Sequence, residues 1–221
     1  MIVAAQNEAD RIGATLDALA RAFPGAEVVV GDDASRDGTS EVALARGAQV
    51  VSRRRPHGKG ANVTAAAEAA LDREVAPDSP TVLLCDADLG ASAATLVALV
   101  AAVERDRCDL AVGAFRRRVD GDAGITASFA RWAIERRCGY RGSAPLSGQR
   151  AMRPAVLRDL LPFARGYGLE TAMTVDAVRA GYRLSEIELD LEHRPTGRNP
   201  SGLLHRARQL CDIGLAAWSR R

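Results

Sequence analysis

The first 115 residues alternate short aliphatic runs with segments of helical period, and this restricts the chain to βαβ units around a mostly parallel sheet. Strands are expected at residues 2–5, 26–31, 48–51, 82–85 and 110–115, and helices at 9–22, 39–46, 61–72 and 92–105. Beyond residue 115 the rhythm changes. A polar loop runs to Gly124, and a helix is expected over 125–138, a loop over 139–148, a strand near 149–152 and helices over 154–161 and 169–180. A strand over 184–191 and a last helix over about 201–219 complete the series. In that last helix Leu203, Leu204, Ala207, Leu210, Ile213 and Leu215 lie partly on one side. No internal repeat or linker divides the chain, so a single α/β domain is predicted, with residues 1–115 as a nucleotide-binding half and 116–221 as a second half of different rhythm.

In open α/β sheets, ligands bind where strands end at their carboxyl side. The run Val82-Leu83-Leu84-Cys85 ends in Asp86-Ala87-Asp88, the first strand ends in Gln6-Asn7-Glu8, and the second ends in Asp32-Asp33. In a parallel sheet these groups share one crevice. Paired carboxylates there suit a hard divalent cation, Mg²⁺ or Mn²⁺, whose shell is completed by substrate phosphates. Acids after a strand also serve as turn formers, and Ser92 is available to cap the following helix. The same edge receives Gly58-Lys59-Gly60, whose glycines allow backbone to approach a ligand and whose ammonium can meet a phosphate. Lys59 is the single lysine in a chain of 29 arginines, although a solvated loop charge would also account for it.

Composition narrows the function classes. The chain has 221 residues, 47% of them hydrophobic, with a net charge of +2, too small to argue for a nucleic-acid partner. Cys85, Cys108, Cys138 and Cys211 show no Cys-x-x-Cys spacing and read as reduced thiols. No apolar stretch is long enough to span a bilayer and no signal sequence opens the chain, so a cytoplasmic protein is expected, with a homodimer allowed.

Asn7-Glu8, Asp32 through Thr39, Gly58-Lys59-Gly60 and Asp86-Ala87-Asp88-Leu89, in this order, resemble the family-2 glycosyltransferases of the GT-A fold, a Rossmann-like, mostly parallel sheet flanked by helices. Phe163 through Glu170 and Glu192-His193-Arg194 resemble the glucosyl-3-phosphoglycerate synthases and the mannosylglycerate-forming enzymes. Leu146-Ser147-Gly148-Gln149-Arg150-Ala151 is similar to the acceptor loop that those enzymes share with polyprenyl-phosphate sugar transferases.

The resemblance implies a metal-dependent hexosyltransferase using a nucleotide diphosphate sugar, a UDP-sugar in preference to a GDP-sugar, and a small, glycerate-like or phosphorylated acceptor, with retention of configuration. It places Ala4, Ala5, Gln6, Glu8, Asp33, Lys59, Asp86 and Ala87 on the donor, and Asp88 and His193 on the metal. Glu170, Asp86 and Lys59 become the catalytic candidates, and Thr126, Ser147, Gly148, Tyr167 and Arg194 the acceptor contacts. Glu170 could instead only complement a helix dipole, and Arg116-Arg117-Arg118 either meet a phosphorylated acceptor or are simply solvated. Two positions depart from the phosphoglycerate-using pattern: Gly124 stands where an arginine precedes the hydrophobic residue and Thr126, and Pro195 stands where an asparagine follows the histidine. The alternatives are an inverting polyprenyl-phosphate sugar transferase with peripheral membrane contact, a sugar nucleotidyltransferase, and a non-catalytic nucleotide-sugar binder.

Overall fold

A computed structural model describes residues 1–72, 81–115, 124–191 and 210–218. His193, Arg194 and Arg116 to Arg118 lie outside these residues, as does the first half of the expected last helix.

Seven strands form one sheet in the order β3-β2-β1-β4-β6-β5-β7. They are β1 (Ile2–Ala5), β2 (Val29–Asp32), β3 (Gln49–Ser52), β4 (Val82–Asp86), β5 (Leu110–Phe115), β6 (Arg150–Met152) and β7 (Leu184–Leu189). Neighbours pair in parallel except at β6, which runs antiparallel to both β4 and β5. Strand side chains alternate between two cores, as the two-residue period of a strand requires. Val3, Val30, Leu83 and Cys85 pack on one face, and Ile2, Val29, Leu84 and Met152 on the other.

The helices cover both faces. Ile12, Leu16 and Leu19 of α1 (Ile12–Ala22) repeat at the spacing of one helical stripe and are buried against the first core. Helix α3 (Lys59–Asp72) and helix α7 (Leu169–Arg179) lay Val63, Ala66, Ala67 and Met173 on the second. The remaining helices are α2 (Thr39–Leu44), α4 (Val97–Glu104), α5 (Gly124–Cys138), α6 (Pro154–Leu160) and α8, residues 210–218.

Several boundaries move for local reasons. Helix α1 begins three residues late, because Glu8 carbonyl oxygen takes the backbone N–H groups of Arg11 and Ile12 at 3.0 and 2.8 Å and closes a turn first. The segment expected as one helix from residue 92 is a 3-10 stretch, Gly90–Leu96, followed by α4. Ser92 does not cap it; its hydroxyl donates to Leu89 carbonyl oxygen at 2.6 Å. Lys59, expected on a loop, opens α3, and β7 ends at Leu189. Leu215 points outward at 69% exposure, away from buried Ile213.

An ion network ties the start of β5 to the start of β7. Arg183 reaches Asp109 at 3.0 Å and Asp106 at 2.6 Å, while Arg153 reaches Asp109 at 3.2 Å. Hydrogen bonding from Arg183 is the main cause that holds the Asp109 carboxyl below the usual carboxylate range. A depressed folded-state value stabilises the fold above the unfolded value, and that contribution is lost as pH falls below it. Asp109→Asn is therefore expected to cost about 1 kcal/mol at neutral pH and to shrink the loss of stability between about pH 5 and pH 2, read from denaturation curves.

Candidate active site

The carboxyl ends of β2, β1 and β4 lie side by side. Ala5 pairs with Asp32, and Ala4 with Asp86. The backbone continues the ladder past the strands, with Asp33 N–H donating to Ala5 carbonyl oxygen and Ala87 N–H to Ala4 carbonyl oxygen, both at 3.0 Å. A turn follows each strand, and Asn7 and Ala34 take positive φ values of 54° and 60°. The two turns are joined: Asn7 N–H donates to Ser35 Oγ at 2.8 Å, and Arg36 N–H to Asn7 Oδ1 at 3.0 Å.

This construction gives the two adjacent acids different positions. Asp32 is buried and accepts hydrogen bonds from Ser35 and Ser40, which shapes its own loop. Asp33 lies on the cleft and anchors the loop before Lys59, accepting His57 N–H at 2.8 Å and Gly58 N–H at 3.0 Å. A glycine is needed at two positions in this clamp. Gly58 has a φ of 83°, and a Cβ on Gly60 would lie 1.7 Å from Ala164 carbonyl oxygen.

The cleft above these strand ends has a volume of about 760 Å³. Ala4, Ala5, Gln6, Glu8, Asp33, Lys59, Asp86 and Ala87, the residues the sequence assigns to a donor, all line it, together with Asp88. Asn62, Arg165 and Asp212 also line the wall and were not singled out from sequence.

At the floor, Lys59 Nζ stands 2.7 Å from Asp86 Oδ1 and 2.8 Å from Glu170 Oε1. Burial opposes the ammonium charge, but the Asp86 and Glu170 carboxylates outweigh it and raise the lysine's pKa above its ordinary value. Gln149 fixes Asp86 from behind. Its Oε1 accepts Asp86 N–H at 3.1 Å and its Nε2 donates to Asp86 Oδ2 at 2.9 Å. Next to it, Arg150 is fully buried and donates to the carbonyl oxygens of Ser147 and Glu170 at 3.0 and 2.9 Å, and to Thr174 Oγ1 at 3.1 Å. Burial pushes its guanidinium down to about 10, still a cation at neutral pH. Arg150 thus ties the loop carrying Gly148 to the first turn of α7.

Asp88 differs from Asp86. Its carboxylate makes no ion pair among the described residues, and no cluster of three or more His, Cys, Asp or Glu side chains forms among them. A site offering one carboxylate suits a hard cation whose remaining ligands are substrate oxygens and water, and fits Mg²⁺ or Mn²⁺ in that way. Asn62 lines the cleft wall, and its Oδ1 is a buried acceptor without a hydrogen-bond partner among the described residues.

The acceptor candidates divide. Gly148 adjoins the Lys59–Asp86 pair, since a Cβ there would lie 2.7 Å from Lys59 Nζ, and Ser147 is buried beside it. Tyr167 sits in the 3-10 turn Gly166–Gly168 before α7. Thr126 is buried in α5 and lines none of the cavities found among the described residues.

A family model described as "Glycosyl transferase family 2" matches residues 1–160. The chain belongs to glycosyl transferase family 2. It is 29% identical to the undecaprenyl-phosphate mannosyltransferase of Micrococcus luteus over 90% of this chain and 85% of that one. It is 31% identical to an uncharacterized glycosyltransferase of Mycobacterium tuberculosis, over 87% of this chain and 84% of that protein. The fold matches glucosyl-3-phosphoglycerate synthase from M. tuberculosis in complex with Mg²⁺ and UDP, with a TM-score of 0.78 and 28% identity over 99% of this chain and 78% of that one. A second structure of that enzyme, with Mn²⁺, UDP and glucosyl-3-phosphoglycerate, gives a TM-score of 0.76 at 27% identity, covering the same shares. The expected GT-A architecture and transferase class are both met by this family-2 glycosyltransferase.

Proposed function

We propose that this chain transfers a hexosyl group, glucosyl first among the candidates, from a UDP-sugar to a small glycerate-like or phosphorylated acceptor, with retention of configuration and with Mn²⁺ or Mg²⁺. The observation that carries the reading is the Lys59–Asp86–Glu170 cluster at the floor of a cleft lined by every donor residue named from the sequence. The solved structures with UDP and a divalent cation support it.

In this reading Ala4, Ala5, Gln6 and Glu8 hold the nucleoside, and Asp33, already holding the Lys59 loop, borders the base. Asp88 holds the cation with His193 as its second protein ligand. The bound cation supplies charge neutralisation on the departing diphosphate. Lys59 stays protonated across the physiological range, oriented by Asp86 and Glu170, and meets developing negative charge without needing to reorganise. Ser147, Gly148, Tyr167 and Arg194 form the acceptor side. The bond from the anomeric carbon to the diphosphate breaks, the bond to the acceptor oxygen forms, and the hydroxyl proton leaves to a diphosphate oxygen, so no protein base is required. The acceptor half begins beyond residue 115.

The mannosyltransferase relative favours a second reading, in which the acceptor is a polyprenyl phosphate and the reaction inverts. Titration calorimetry with UDP-glucose and GDP-mannose, with and without Mn²⁺, tests the donor. Tight binding of UDP-glucose that depends on Mn²⁺ is expected. Asp88→Asn should weaken the metal-dependent part by about tenfold or more and leave metal-free UDP binding nearly unchanged. Unchanged metal dependence in that variant would remove Asp88 from the metal. Product formation with 3-phosphoglycerate, glycerate or undecaprenyl phosphate then selects the acceptor.

A further inference from the structure

Helices α5 and α8 each carry two apolar faces. The inner face of α5 buries Thr126, Ala130, Ala133 and Ile134, and that of α8 buries Ile213, Ala216 and Ala217. Their outer faces should then be polar throughout, yet each carries large apolar side chains. On α5, Ile125, Phe129, Trp132 and Arg136 recur at four-, three- and four-residue steps, which places them on one stripe. On α8, Cys211, Leu215 and Trp218 do the same.

The stripes meet: Trp132 lies 5.6 Å from both Phe129 and Trp218, centroid to centroid. Ile125 is 78% exposed, Leu215 69%, Trp132 51% and Trp218 48%, and these are four of the six large apolar side chains exposed among the described residues. Both tryptophans of the chain stand here. An exposed apolar patch of this kind marks an interaction surface.

We propose that this face docks the protein onto an anionic lipid bilayer. Two observations favour a bilayer over a protein partner. Tryptophan is the residue that settles at a membrane–water interface, with its ring in the apolar layer and its N–H in the wet one. The patch is also edged by cations: Arg136 stands on the stripe and Arg131 next to Trp132 in sequence, while Glu135, the single acid over residues 124–141, is paired with Arg141 at 2.7 Å. This charge balance matches a negatively charged leaflet. The one acid of α8, Asp212, lines the cleft instead. At 1.5 Å per residue Asp212 and Trp218 are separated by about 9 Å along the helix, so docking brings the cleft rim to the lipid surface.

The two tryptophans also report on the patch. With equimolar phosphatidylglycerol–phosphatidylcholine vesicles the full chain should co-sediment, and its tryptophan emission should shift to shorter wavelength. Pure phosphatidylcholine or about 0.5 M salt should weaken both signals. Trp132→Ala with Trp218→Ala should lower the vesicle-bound fraction about tenfold, and Ile125→Asp, at a position 78% exposed, should do so without disturbing the fold. UDP binding is measured in each variant and should not change, which separates failure of this inference from failure of the donor reading. Absence of co-sedimentation with an unshifted spectrum overturns the proposal. So does elution at twice the chain mass with tryptophan emission already shifted before vesicles are added, which would assign the face to a second copy.

Discussion

Lys59→Met should lower kcat/KM for sugar transfer by about 10²–10³-fold, the effect of removing one preorganised donor from a site of developing charge. The same change should destabilise the chain by about 3 kcal/mol, because Glu170, 7% exposed, and Asp86 lose the cation that compensates both. Stability and activity therefore fall together, which a solvated loop lysine would not produce. Lys59→Arg should not rescue either. The ammonium lies 2.7 Å from the position of a Cβ on Gly148, and a guanidinium is too large for that space. Because the folded-state pKa of Lys59 is raised, its contribution is complete below the unfolded value of about 10.4 and fades only in strong alkali. Paired urea titrations at pH 7 and steady-state kinetics measure both effects.

Gln149→Glu should cost about a hundredfold in kcat at neutral pH, corresponding to about 2.7 kcal/mol. Gln149 Nε2 donates to Asp86 Oδ2 at 2.9 Å, and an oxygen in its place would set two carboxylates against each other. Two carboxyl groups so close share a proton, which restores the lost hydrogen bond. Activity of the variant should then recover as pH falls toward about 5, whereas the native profile does not rise in that direction. Gln149→Ala has no proton to share and should lose activity without the acid recovery. A flat profile in Gln149→Glu would show that Gln149 only packs.

Much of this was legible in the sequence because chemistry and periodicity coincided. The run Val82 to Cys85 announces a buried strand, and the acids that follow must fall at its carboxyl end, so the cleft could be located before any geometry was known. The glycines flanking Lys59 marked a close backbone approach, which the 1.7 Å separation at Gly60 explains. What could not be read is long-range pairing. Asp32 and Asp33 are alike in sequence, and only the hydroxyls of Ser35 and Ser40 on one and the N–H groups of His57 and Gly58 on the other distinguish them. Gln149 reads as a polar residue at the start of a short strand. Its role depends on a strand inserted 63 residues away in sequence from Asp86. Leu215 reads as core and faces outward, because periodicity does not reveal which of two apolar stripes a helix buries.

The reversed strand β6 governs how the chain can be assembled and divided. It separates β4 from β5, so the sheet that bears the donor cleft is not continuous until Arg150 to Met152 have been added. During synthesis from the N-terminus, β1 to β4 therefore wait with one edge open while the next sixty or so residues are made. A fragment ending at residue 115 would keep that open edge permanently and should aggregate rather than fold. The two halves of the chain are thus one folding unit, and exchanging the second half between relatives requires carrying β6 and its neighbours' register along with it.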